Sequence, residues 1–270
     1  MNNSIRPKIK YEIDKITTFL ASNFVNDNQT ALLAICEDED LQLCLDDYGN
    51  YFDGMLVWDK PSFYIHLNTA KGNYQQSKRG RFTLAHELGH YFIDCHREGL
   101  KRKILNSHPS NNILIQHETI EAEADYFASC LLMPKNKLRS FTGGKSFSFD
   151  LLYELSNAFD VSLTAAILRF VEVGTHEIMV VFSENNQVKW YQRSADFPAL
   201  PNKFRVGGNL PPTSVAGEFF RNKHSRYTGI EPISLDDWFY YRHGAPSYPL
   251  YEQCFYSDIY NYVISVIWFK

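Results

Sequence analysis

Two imidazoles four residues apart, with a carboxylate beside the first, stand at His86, Glu87 and His90 within Phe82-Thr83-Leu84-Ala85-His86-Glu87-Leu88-Gly89-His90-Tyr91-Phe92. The stretch has no proline and is rich in helix formers, and residues four apart on a helix share a face. His86 and His90 can therefore aim ring nitrogens at one metal ion, with Glu87 flanking it. Neutral nitrogen ligands suit zinc, and the adjacent carboxylate is placed to take a proton from water that the metal activates. The plainer reading is a helix that carries two surface histidines.

Zinc held by two such histidines needs a third protein ligand and an open position. Further along, Glu121-Ala122-Glu123-Ala124-Asp125-Tyr126-Phe127-Ala128-Ser129-Cys130-Leu131-Leu132-Met133-Pro134 reads as a strong helix ended by proline. Glu121 can supply the third ligand. Asp125, one turn on along the same face, can accept the outer N–H of a ligating histidine and so set its tautomer and ring orientation. Glu123 lies about 200° round the helix from Glu121, so only one of the two acids faces the site. Ala124, Phe127, Ala128, Leu131 and Leu132 form the packed side. An ordinary amphipathic helix, with acids favoured at its start by the helix dipole, is the alternative.

The segment Arg81-Phe82-Thr83-Leu84-Ala85-His86-Glu87-Leu88-Gly89-His90, followed by Glu121-x-x-Ala124-Asp125-x-Phe127-Ala128-x-x-Leu131-Leu132-Met133-Pro134, resembles the ImmA/IrrE family of bacterial and phage metallopeptidases. The resemblance covers roughly residues 50–173 well and the remainder loosely. It implies a zincin-like core in which zinc, with manganese as the other candidate ion, is held by His86, His90 and Glu121 while Glu87 is the general base. The family position matching Asp125 is commonly Asn; Asp still accepts a hydrogen bond. The implied activity is site-specific cleavage of a helix-turn-helix transcriptional repressor, which turns on stress, DNA-damage or mobile-element genes. The rival is a non-catalytic sensor or antirepressor that sequesters the repressor in the same groove.

With 270 residues, 44% of them hydrophobic and 21% charged, the chain has the composition of a folded globular protein of one large or two modest domains. The net charge of −4, from 27 basic and 31 acidic side chains, argues against direct DNA binding. Five cysteines without C-x-x-C spacing read as reduced, mostly buried thiols in a cytoplasmic protein. Cys95, close to the metal helix, could compete as a ligand or act in redox chemistry, but packing is the expectation. No apolar run reaches the ~18 residues of a membrane span, and Met1 to Lys10 has no apolar core of a leader.

The elements that must position these groups follow from patterning. Ile9 to Phe24 repeats Ile9, Ile13, Ile16 and Phe19-Leu20 at helical spacing. The acidic Glu37 to Asp40 reads as a solvated turn rather than a cation site. Phe52 to Trp58 and Ser62 to Leu67 form a hairpin through Asp59-Lys60-Pro61, and one of the two strands is expected to offer an edge to an extended substrate. Lys78, Arg79 and Arg81 read as solvated. Arg97 to Ile115 reads as a polar loop, and His96, His108 and His117 around it are candidates for stabilising an oxyanion, none singled out.

After Gly143-Gly144, the stretches Phe149 to Phe159 and Ser162 to Val173 make two helices of helix-turn-helix length. The second offers one basic residue and few base readers, so packing or protein docking is expected rather than DNA contact. Beyond Gly174, Glu177 to Ser183 and Gln187 to Arg193 pair through Asn185-Asn186, Thr213 to Lys223 is a helix capped by Thr213 or Ser214, and Trp238 to Tyr241, Gln253 to Tyr256 and Tyr260 to Phe269 read as strands. Larger family members carry a GAF-like sensor domain here. The aromatics of this part read as core, not as a ligand pocket. The fold class expected is α+β: a zincin-like metallopeptidase domain over residues 1–143, a helix-turn-helix-like hairpin over 144–174 and a GAF-like α+β domain with an antiparallel sheet over 175–270.

Overall fold

A computed structural model describes residues 5–105, 110, 119–222, 229–240, 249–257 and 261–269. Helices run over Pro7–Phe24 (α1), Leu32–Asp38 (α2), Lys78–Phe92 (α3), Asp94–Lys101 (α4), Thr119–Leu132 (α5), Lys135–Thr142 (α6), Phe149–Ala158 (α7), Leu163–Val173 (α8), Val215–Arg221 (α9) and Leu235–Trp238 (α10). Strands run over Val25–Asn26 (β1), Gln29–Thr30 (β2), Gln42–Asp46 (β3), Gly54–Asp59 (β4), Ser62–Asn68 (β5), Ile178–Glu184 (β6), Gln187–Arg193 (β7), Glu231–Ile233 (β8), Leu250–Ser257 (β9) and Tyr262–Phe269 (β10). The chain divides into two compact units, residues 1–138 with 153–166 and residues 139–152 with 167–270. Among the described residues no single helix is long and apolar enough to cross a membrane.

In the first unit, α1 buries Ile9, Ile13, Thr17 and Leu20. Thr17 takes an inward position that the apolar pattern did not mark, because its hydroxyl donates to the Ile13 carbonyl at 2.8 Å. Phe19, two residues on and so on the opposite side of the helix, is 68% exposed rather than packed. The acidic stretch is not all turn: Glu37 and Asp38 end α2, Asp40 adopts a left-handed backbone, and Glu39 accepts a hydrogen bond from Tyr91 Oη at 3.0 Å.

β4 and β5 form the expected antiparallel hairpin, joined through a cis Lys60–Pro61 bond. β3 lies parallel to β5 on its other side, so the sheet order is β3-β5-β4 and β5 is central. That leaves β4 as the only one of the two hairpin strands with an edge turned away from the sheet. Its first residue, Gly54, is bridged by Ser110, whose N–H donates to the Gly54 carbonyl at 3.0 Å. Backbone groups alternate sides along an antiparallel strand, so those of Leu56 and Trp58 turn to the same outer edge as Gly54.

α3 packs on β4 and β5 and crosses α5. Ser77 caps its start, accepting from the Gly80 N–H at 2.9 Å. The basic residues at this entry are engaged within the fold, contrary to the solvated reading. Arg79 donates to the buried Asp53 at 2.7 and 2.9 Å, Arg81 lies 3.2 Å from Asp160, and Lys78 donates to Ser156 and Asn157 at 3.2 Å each. Asp53 also accepts from Asn73, whose Oδ1 accepts from Thr83 Oγ1 at 2.7 Å. This buried polar knot ties the residue before β4 to the first turns of α3. The polar stretch after α3 is helical through Lys101, as α4, and places His96 on a helix instead of a loop. His108 and His117 lie outside the described residues.

α7 and α8 are separated by Asp160, in a left-handed conformation, and Val161; Ser162 caps α8 by accepting from Ala165 N–H at 3.1 Å. Arg169, the basic residue of α8, is buried and paired with Glu172 at 2.9 Å.

The second unit is built on a five-stranded antiparallel sheet of order β7-β6-β10-β9-β8. Asn185 and Asn186, both at positive φ, make the β6–β7 turn. The final strands are β9 and β10, whereas Trp238 ends the short α10 rather than beginning a strand, and β8 was not evident from patterning. Met179, Val181, Phe197, Leu210, Trp238, Phe239, Val263 and Ile267 belong to one buried cluster, so these aromatics pack the core. Ser214, one of the two expected caps, starts α9.

Candidate metal centre

α3 and α5 can meet closely because the crossing point carries a glycine. A Cβ on Gly89 would stand 3.1 Å from Ala124 Cα and 3.1 Å from Phe127 Cβ. At that spacing the first turn of α5 reaches the histidine face of α3, and His86, His90 and Glu121 converge. His86 Nε2 and His90 Nε2 are 3.1 Å apart, His86 Nε2 is 3.3 Å from Glu121 Oε2, and His90 Nε2 is 3.2 Å from Glu121 Oε1. Ligand atoms about 2.0–2.1 Å from a tetrahedral zinc stand roughly 3.3–3.4 Å from one another, so this triangle has the size such an ion requires. All three residues are buried, which excludes the reading of two surface histidines.

The surroundings also favour a cation. Burial lowers the pKa of His86, yet hydrogen bonds to Asp125 and Glu121 and the charges of Asp125 and Glu87 carry it well above the ordinary imidazole value. A site that pulls a proton onto a buried imidazole is one that stabilises positive charge, and a divalent ion supplies it.

Each of the two histidines has a partner behind it. His86 Nδ1 lies 2.9 Å from Asp125 Oδ1, the contact anticipated from the spacing on α5. His90 Nδ1 lies 3.2 Å from His96 Nδ1, and His96 Nε2 lies 3.0 Å from Glu123 Oε2. Glu123 does turn away from the metal triangle, as the helix projection required. The side it turns to is occupied by α4, so it is fully buried against His96 and also accepts from Arg6. His96 thus sits behind His90 rather than facing a substrate, which removes it as an oxyanion candidate. Neither role carried a sequence signal, since both depend on where α4 packs.

Glu87 is fully buried. Its carboxylate points toward β4: a Cβ on Gly54 would fall 2.6 Å from Glu87 Oε1 and 2.5 Å from Thr83 Cγ2. The glycine therefore makes the space in which this carboxylate lies, beside the strand with the outward edge. Cys95 is exposed, contrary to the packing expected of it, and its thiol groups with His96 and Glu123 in a second potential ligand set.

Residues 36–170 match a peptidase family model described as an IrrE N-terminal-like domain. No curated protein matches the chain. A solved structure described as a Mycobacterium tuberculosis transcriptional regulator is similar in fold, with a TM-score of 0.58 at 12% identity over 99% of this chain and 78% of the other.

Proposed function

Since the chain belongs to the ImmA/IrrE peptidase family, we propose that it is a zinc-dependent endopeptidase that cleaves a helix-turn-helix transcriptional repressor in the cytoplasm. The observation that carries the reading is the triangle of His86, His90 and Glu121 donor atoms at 3.1–3.3 Å with the buried Glu87 next to it in sequence. The regulator named among the proteins of similar fold supports a regulatory setting.

His86, His90 and Glu121 would hold the zinc, with manganese as the other candidate, and Asp125 would orient His86. Zinc bound there supplies Lewis acidity for the scissile carbonyl and for water. Glu87 takes the proton of the attacking water and passes it to the leaving amine. Its burial beside Gly54 and Thr83 keeps its carboxylate out of bulk water. The outward backbone groups of Leu56 and Trp58 are suited to pair with an extended peptide, which β-augmentation binds mainly through main-chain hydrogen bonds. In this reading residues 1–143 are the peptidase domain, 144–174 a helix-turn-helix-like hairpin that docks protein rather than DNA, and 175–270 a GAF-like sensor domain.

Incubating the zinc-loaded protein with the repressor encoded beside it should yield two fragments. Glu87→Gln should keep the metal and abolish cleavage, while His86→Ala should lose both. Cleavage by the Gln variant would overturn the assignment of the base. A tight complex that leaves the repressor intact would instead establish the antirepressor.

A further inference from the structure

We propose that His96 and Glu123, backed by Arg6, are positioning residues for His90, holding it through a line of hydrogen bonds whose proton order is set by metal ligation. The inference rests on the metal-binding reading above. His90 turns Nε2 into the triangle, 3.2 Å from Glu121 Oε1. A ligating nitrogen presents its lone pair, so the ring proton of neutral His90 sits on Nδ1. That nitrogen meets His96 Nδ1 at 3.2 Å. One proton serves the pair, so His90 donates and His96 Nδ1 accepts. The proton of His96 is then on Nε2, which donates to Glu123 Oε2 at 3.0 Å.

The line ends in a charge that is itself compensated. Glu123 is fully buried, and a buried carboxylate needs strong donors around it. Arg6 supplies them: Nε and Nη2 each donate to Oε1 at 3.2 Å, and Nη2 also to Oε2 at 3.3 Å. The two candidate metal histidines are therefore anchored differently. His86 reaches a carboxylate directly, at Asp125, while His90 reaches one through a second imidazole. Oriented outer partners of this kind set ring orientation and raise ligand basicity.

The trio of Cys95, His96 and Glu123 could alternatively bind a second ion. The guanidinium of Arg6 argues against it, because it already engages both oxygens of Glu123 and would repel a dication beside it.

Zinc affinity and stoichiometry of the full chain, measured by chelator competition, decide between these. The wild type should bind one zinc per chain. His96→Leu should raise the Kd about 10–100-fold. His96→Asn should recover part of the loss, since its side-chain oxygen can accept the His90 proton. Glu123→Gln should fall between His96→Asn and the wild type, and Cys95→Ser should change nothing. In the cobalt-loaded protein, His96→Leu should shift the visible absorption of the bound ion. A packing role for His96 predicts the reverse order, because Leu fills the space better than Asn. Equal or tighter binding by the Leu variant would overturn the relay, as would affinities within twofold for all variants. Two zinc ions in the wild type, one of them lost in Cys95→Ser, would overturn it in favour of a second metal site. If His96→Leu does not fold, the Asn and Glu123→Gln variants carry the same comparison. A wild type that takes up no metal would overturn the peptidase reading and the relay together, whereas a zinc-binding wild type with insensitive variants overturns the relay alone.

Discussion

At the scale of single residues, the least expected contribution comes from a missing side chain. Gly54 lies where any Cβ would stand 2.6 Å from a Glu87 oxygen, within the distance at which one of the two must move. Gly54→Ala should leave zinc affinity close to wild type, because the added methyl group would press first on Thr83 and Glu87, neither of them a candidate ligand. Turnover should fall about 100-fold, the loss that a displacement of roughly 1 Å produces in a reacting group. Zinc titration beside a single-turnover cleavage assay separates the two effects. The reason is visible only in three dimensions: nothing in the composition of Phe52-Asp53-Gly54 indicates that the glycine faces a carboxylate from another element.

At the scale of elements, the candidate metal centre depends on how closely two helices cross. The two histidines of α3 have their spacing from the helix itself, but Glu121 is delivered by α5, and the distance between them is set where Gly89 meets Ala124 and Phe127. Gly89→Leu should force α5 outward and cost about 1–3 kcal/mol in overpacking. It should also weaken zinc binding far more than a substitution of equal stability cost elsewhere in the unit. Thermal unfolding of the metal-free protein and a zinc titration test both halves of this expectation. If the variant binds zinc as tightly as wild type, the crossing is not what positions Glu121. The sheet beside these helices is likewise an arrangement of elements. The β4–β5 hairpin was legible from alternation and the Asp59-Lys60-Pro61 turn, but β3 was not seen to insert parallel to β5. That insertion is what leaves the outer edge to β4.

At the scale of the whole molecule, the second unit holds a buried acid of its own. Glu252 is fully buried and accepts from the N–H groups of Val215 and Ala216 at 3.0 and 3.2 Å and from Trp238 Nε1 at 2.8 Å. It thereby joins β9 to the start of α9 and to α10. Glu252→Leu would strand three buried N–H donors and should cost about 3 kcal/mol or more. Burial outweighs those donors and holds the Glu252 pKa above the ordinary carboxylate value. The stability from this raised pKa is complete below the unfolded value and is lost as pH rises through the folded one. Chemical denaturation of wild type and variant across the acid range should show that pH dependence in the wild type and its absence in the Leu variant. A wild type whose stability rises over the same range relative to the variant would contradict it. The sequence alone determined what local periodicity can encode: the helix that carries His86, Glu87 and His90, the matching helix with Glu121 and Asp125 on one face, and the strand alternation and Asn-Asn turn of the C-terminal sheet. Those features depend on residues a few positions apart, whose relative placement the backbone geometry dictates. Only the tertiary structure decided that Glu123 and His96 stand behind His90, that Gly54 shelters Glu87, that Arg79 is bound to Asp53 and that Cys95 is exposed. Each of these joins or separates residues through the packing of elements far apart in the chain, and no local pattern records which side of a helix its neighbour will cover.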